Sequence, residues 1–133
     1  GLAQRRLRTA IGILVAWLLL GSGCGGESPR QAQVQDLRGD ADAGAQLYAT
    51  YCASCHGAGG RADGPVAATL SPRPANHTDA AYIGSLSDEY LYGVISRGGA
   101  AMGKSPLMAP WGGVVNEEGI RDLIAFIRKL SGT

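Results

Sequence analysis

Three segments of the chain carry apolar residues at helical spacing. The clearest is the last, where Ile120, Leu123, Ile124, Ile127 and Leu130 recur at three- and four-residue steps with polar residues between them. Asn116 is a good N-cap for this helix, Glu117 and Glu118 suit its positive end, and Arg128 and Lys129 suit its negative end. A second helix is predicted from Ser87 as N-cap, with Asp88 and Glu89 in the first turn, Leu91, Val94 and Ile95 on one face, and Gly98-Gly99 as its end. A third is predicted from Asp42 as cap through Ala43, Gly44, Leu47, Tyr48 and Tyr51, running up to a close pair of cysteines. No strand run flanks that pair, and a compact domain is expected over residues 40–133.

The chain's beginning follows a different pattern. Gln4-Arg5-Arg6-Leu7-Arg8 is basic, and the stretch from Ala10 to Leu20 is apolar apart from Gly12, ending in small residues before Cys24. The run is shorter than the roughly 20 residues a helix needs to span a bilayer, but it has the length and flanks of a signal-peptide apolar core. Residues 1–23 are therefore expected to be a signal peptide, with an uncleaved N-terminal anchor as the alternative. Either would place the remainder outside the cytoplasm. Residues 24–39 are rich in Gly, Ser, Gln and Arg and are expected to form a flexible tether.

Charge narrows the range of partners. Without Arg5, Arg6 and Arg8, 9 of the 12 basic side chains remain against 11 acidic ones, a net charge of −2. That balance offers no basic footprint for nucleic acid. The domain also has a single Phe and modest apolar clusters, and the segment from Gly57 to Gly84 is long and rich in Gly, Pro, Ala and Asp. A loop of that length in a small domain calls for something to order it, and a bound prosthetic group would do so.

Cys52-Ala53-Ser54-Cys55-His56 supplies the chemistry. On a helical turn the two cysteines share a face, so both thiols could add to the vinyl groups of one haem, with the His56 imidazole beneath it as a ligand to iron. C-x-x-C-H is the attachment pattern for haem c. The alternatives fit less well. A thioredoxin-like pair belongs at a strand-to-helix junction, a zinc site needs more ligands than the isolated His77 can add, and a plain disulfide leaves His56 without a role. For the second axial position the candidates are Met108, Met102 and His77. Met108 is preferred because Pro106 and Pro110 stiffen the backbone around it, whereas Met102 stands among Gly and Ala and His77 is expected to be a solvent-facing loop histidine.

From about Gly44 to Leu130 the chain resembles class I c-type cytochromes, particularly small bacterial periplasmic or membrane-tethered forms. The likeness rests on Gly44-Ala45-Gln46-Leu47-Tyr48 leading to Cys52-Ala53-Ser54-Cys55-His56-Gly57, and on Asp63-Gly64-Pro65 with Leu70-Ser71-Pro72-Arg73-Pro74-Ala75-Asn76. It rests also on the segment from Gly103 through Met108 to Gly113, followed by the helix from Glu117 to Leu130. The resemblance implies an all-α cytochrome c fold of three to five helices around one covalently bound haem, with the first and last helices crossing near Gly44 and Phe126. It implies single-electron transfer with His56 and Met108 as axial ligands rather than enzymatic turnover, between redox proteins of a respiratory or related electron-transport chain. The alternatives are a haem-bearing subunit of a larger membrane oxidoreductase, or a haem enzyme or sensor with a labile sixth ligand. Pro72, Arg73, Tyr82, Arg97 and Trp111 become candidates to line the haem. Two positions depart from the family pattern: Ala109 separates Met108 from Pro110, and His77 stands where an aromatic residue is common. Separately, Leu20-Gly21-Ser22-Gly23-Cys24 resembles the lipobox of bacterial lipoproteins, with Gly21 where that family usually has Leu. It implies lipidation of Cys24 and tethering to a membrane surface on the periplasmic side.

Overall fold

The computed structural model describes residues 38–133. The expectations for the signal segment, for Cys24 and for the tether up to residue 37 lie outside the described residues. Along the described chain run α1 (Ala41–Tyr51), α2 (Ala53–His56), a 3-10 turn (Ala67–Thr69), α3 (Ala80–Gly84), α4 (Asp88–Ala101) and α5 (Glu117–Ser131), with no strand among the described residues. None of these helices is long and apolar enough to cross a membrane.

The pairing of α1 with α5 frames the domain. Gly44 on α1 lies so close to the Asp122 carbonyl on α5 that an added Cβ would collide with it, and that Cβ would also stand 3.0 Å from Cβ of Phe126. Hydrogen as the side chain is what allows the two backbones to meet, at the crossing that the family resemblance implies. The crossing is tied at both ends: the Asp40 amide donates to Asp122 Oδ1 at 2.6 Å, and Lys129 Nζ pairs with Asp42 Oδ1 at 3.0 Å. These ties explain a shift in the helix start. Asp40, not Asp42, is the N-cap, its carboxylate accepting from the Asp42 and Ala43 amides at 2.8 and 3.3 Å. Asp42 sits in the first turn, where its charge faces Lys129.

The other two expected caps are in place. Ser87 accepts from the Tyr90 amide at 3.1 Å, and Asn116 accepts from the Gly119 amide at 2.9 Å. Ile120, Leu123, Ile124 and Ile127 of α5 are buried together with Tyr48, Ile83, Leu91, Ile95 and Val115. The expected end of α4 at Gly98-Gly99 is a sharp break instead of a stop. Gly98 takes φ 81° and ψ 166°, and the chain then makes another turn to Ala101. A positive φ of this kind is open to glycine at little steric cost.

Part of the long segment between α2 and α4 is ordered by its own short helix, α3, which the sequence pattern alone did not reveal. Asp79 caps it by accepting from the Tyr82 amide at 2.9 Å, and Ile83 buries its side chain in the core. Arg128 of α5 holds the C-terminal side of this segment. Its guanidinium donates to the carbonyl oxygens of Ile83 at 2.7 Å and Leu86 at 2.6 Å, and to Asp88 Oδ1 at 2.7 and 3.0 Å.

Candidate functional site

The site begins where α1 ends. Cys52 joins α1 to α2, and its carbonyl accepts from the amides of Cys55 at 3.2 Å and His56 at 2.9 Å, forming one helical turn that holds both thiols and the imidazole. The loop that follows is laced back onto this turn: the Ala62 amide donates to the His56 carbonyl at 2.8 Å, and the Val66 amide to the Ser54 carbonyl at 3.2 Å. The two cysteines are not joined to each other.

His56 is nearly buried, and its Nδ1 lies 2.9 Å from the Ala75 carbonyl. A carbonyl can only accept, so Nδ1 carries the proton, and the lone pair of the neutral ring is on Nε2. A ligating histidine fixed through its other nitrogen in this way has a set tautomer and a set plane. Burial pushes the His56 imidazole below its ordinary range, against the opposing pull of the Ala75 bond, which keeps the ring neutral and able to donate a lone pair. Burial, and secondarily the neighbouring Cys55, pushes the Cys52 thiol up to about 12. A reactive dithiol of the thioredoxin kind needs the opposite shift, so that alternative loses its physical basis.

The methionine segment is positioned by the break at Gly98. Because the helix is interrupted there, the carbonyls of Ile95 and Ser96 are free to accept from the amides of Trp111 at 2.9 Å and Gly112 at 3.0 Å. Just beyond, the Gly99 amide donates to the Met108 carbonyl at 2.9 Å, and the Gly99 carbonyl accepts from the Lys104 amide at 2.8 Å. Met108 is therefore held by the backbone at the end of α4, with Pro106 and Pro110 on either side.

Two adjoining cavities mark what these parts enclose. One, of about 300 Å³, is lined by Cys52, Cys55, His56, Leu107, Met108 and Trp111 among others. The second, of about 320 Å³, has Ala75, His77, Tyr82, Leu91, Lys104 and Met108 in its wall. Met108 belongs to both. Met102 lines neither: it caps α4, with its Sδ 3.2 Å from Arg97 Nη2. Of the residues considered as lining, Trp111 is in the first cavity and Pro72, Arg73 and Tyr82 are in the second, whereas Arg97 is turned to Met102.

His77 departs most from expectation. It is buried, not solvent-facing, and its ring stacks on that of His56 with centroids 4.1 Å apart and planes 16° apart. Its Nδ1 lies 2.8 Å from the Tyr48 hydroxyl, and its amide donates to the Gly60 carbonyl at 2.7 Å. Tyr48 had counted only as part of the α1 apolar stripe. A tyrosine buried in a core usually finds a partner for its hydroxyl, and that was the available signal. Burial, then the proximity of His56, pushes the His77 imidazole down to about 3, and burial pushes the Tyr48 phenol above its usual range.

The donor set fits a covalently held haem: two thiols on one turn, a neutral imidazole with its Nδ1 already committed, and a backbone-anchored thioether in the shared wall of two cavities. Among the described residues, no three His, Cys, Asp or Glu side chains gather as a metal cage, so a zinc site lacks its ligands there. A search of curated proteins finds no match to the chain. A family model described as cytochrome C oxidase, cbb3-type, subunit III matches residues 39–127, which takes in the C-x-x-C-H turn, the methionine segment and most of α5. With the strand-free helical fold, this bears out the resemblance seen in the sequence: the chain belongs to this family of c-type cytochromes, all-α haem c domains that serve in electron transfer.

Proposed function

We propose that this chain carries one haem c, joined by thioether bonds to Cys52 and Cys55 and ligated at iron by His56 and Met108, and that it passes single electrons between redox proteins outside the cytoplasm. The observation that carries the reading is the position of Met108, in the wall common to the cavity containing the C-x-x-C-H turn and the cavity beside it. The bound group supplies an iron centre that takes up and releases one electron. The protein's part is to hold two ligands still. His56 presents Nε2 because Nδ1–H is given to Ala75, and the bond from the Gly99 amide to the Met108 carbonyl fixes the backbone from which the thioether would reach the group. An imidazole and a thioether together would occupy the donor positions that a substrate would need, and this supports a carrier in preference to an enzyme or gas sensor. Imidazole with thioether also favours a higher potential than two nitrogen ligands would.

The test is spectroscopic. The purified protein, matured with a haem-attachment system, should keep its pigment through acid-acetone extraction and show a low-spin spectrum that carbon monoxide does not alter. Met108→Ala should open the sixth position, admit carbon monoxide and lower the potential. An unchanged low-spin spectrum in that variant would remove Met108 from the ligand set.

A second reading has its own support. The family description names a subunit of an oxidase, which favours a haem-bearing subunit of a larger membrane complex over a free shuttle. Co-purification of other membrane proteins with the chain distinguishes the two. In either role we place the domain on the periplasmic side, anchored through a lipidated Cys24, so that a tether raises its effective concentration near membrane-bound partners. Cys24→Ser should release the protein from membranes, and persistent membrane binding would remove the lipid anchor from the account.

A further inference from the structure

We propose that His77 is a positioning residue for the ligand His56: clamped by Tyr48, its ring lies flat on the His56 imidazole and sets the plane in which that ligand meets iron. The proposal rests on His56 being the ligand, as argued above.

The geometry has three parts. The bond from Nδ1 to the Ala75 carbonyl holds the His56 ring at one edge and resists its rotation about the Cβ–Cγ bond, but it supports neither face of the ring. The His77 ring covers one face at 4.1 Å between centroids, with planes only 16° apart, so that a swing of His56 would drive ring atoms into His77. His77 is itself immobilised. Its amide donates to the Gly60 carbonyl at 2.7 Å, its Nδ1 meets the Tyr48 hydroxyl at 2.8 Å, and the Tyr48 ring is held edge-on between His77 and Phe126 of α5.

We assign the Tyr48 hydroxyl as the donor and His77 Nδ1 as the acceptor, the tautomer in which the more acidic O–H faces an imidazole lone pair. The order Phe126, Tyr48, His77, His56 then runs without interruption from the α1/α5 crossing to the ligand. Packing at the frame reaches the iron ligand through three ring contacts and one hydrogen bond. A purely apolar residue at position 77 would fill the space, but it would accept nothing from Tyr48 and leave that hydroxyl buried without a partner.

Orientation of the ligand also affects its strength as a donor. The bond from His56 Nδ1–H to Ala75 draws positive charge away from the ring and makes Nε2 a better donor to iron. A ring that tilts weakens that bond. Loss of the clamp should therefore raise the reduction potential and spread the ligand over several orientations.

The experiment compares the wild-type holoprotein with Tyr48→Phe and His77→Leu by potentiometric titration and by electron paramagnetic resonance of the ferric state. Tyr48→Phe removes only the hydroxyl and keeps the packing, so it serves even if His77→Leu fails to fold. We expect both variants to keep covalent haem and a low-spin spectrum. Their resonance lines should broaden and their potentials rise, more in His77→Leu than in Tyr48→Phe. Line shapes and potentials equal to wild type in folded variants would overturn the positioning role, leaving His77 as core packing. A wild-type protein without low-spin, His-ligated haem would instead overturn the assignment of His56, which separates the two failures.

Discussion

The α1/α5 frame and the two loops that enclose the cavities are held together by different forces. The frame depends on side-chain burial and one close backbone approach: Gly44 against Asp122, and a row of isoleucines and leucines sealed beneath. The loops have few large side chains to bury. They are held by backbone bonds to helix ends, by the Ala75 carbonyl on His56, and by amides reaching α4 carbonyls that a break at Gly98 leaves free. Damage to the frame should appear as lost stability, and damage to the loops as altered ligation at nearly constant stability.

The largest effect is expected at the crossing. Gly44→Val would place branched carbon where the Asp122 carbonyl lies, and nothing there can yield except the helix pair itself. A destabilisation of about 4 kcal/mol is expected, at the upper end for a single substitution, as a fall in the urea midpoint of the holoprotein with little change in slope. A variant within about 0.5 kcal/mol of wild type would mean that α1 and α5 do not meet at this point.

Next is Arg128, which joins the two regions. Arg128→Met keeps much of the stem packing but leaves the Ile83 and Leu86 carbonyls without their donor and Asp88 without its partner. Bonds of this charge-assisted kind, partly buried, suggest a loss of about 2–3 kcal/mol. Asp88→Asn removes only the exposed half of the network and should cost less than about 1 kcal/mol. Equal losses in the two variants would assign the effect to the ion pair and leave the carbonyls without consequence.

This division between frame and loops also explains how far the sequence could be read. Periodicity revealed α1, α4 and α5 because burial by side chains leaves a pattern, and Ser87 and Asn116 were legible as caps because their chemistry is local. The C-x-x-C-H turn was legible because its spacing is the chemistry. Asp40 displaced Asp42 as the α1 cap because the deciding contact, from its amide to Asp122, comes from a residue far along the chain. His77 was misjudged for the same reason: only the fold reveals that the loop returns over α2 and sets it against His56 and Tyr48. The fixing of Met108 was invisible, since it lies in backbone amides and carbonyls, which every residue but proline carries alike.

The two remaining substitutions form a matched pair that puts the comparison to its sharpest test. Gly98→Ala forces a side chain into a positive-φ position, and its Cβ would stand 3.0 Å from the Met108 carbonyl oxygen and 3.0 Å from the Pro110 nitrogen. In this backbone region, essentially restricted to glycine, the cost is about 1–3 kcal/mol. Asn116→Ala removes the α5 cap from the Gly119 amide and should cost about 1 kcal/mol. Similar in stability, the two should differ in spectrum. Gly98→Ala shifts the amides and carbonyls that hold Met108, so the far-red band of thioether ligation should weaken and added cyanide should bind faster. Asn116→Ala touches the frame alone and should leave both measurements at wild-type values. If the two variants bind cyanide at the same rate, ligation follows global stability, and the division between frame and loops fails. If only the Gly98 variant is faster, the grip on Met108 is local, set by the interrupted end of α4.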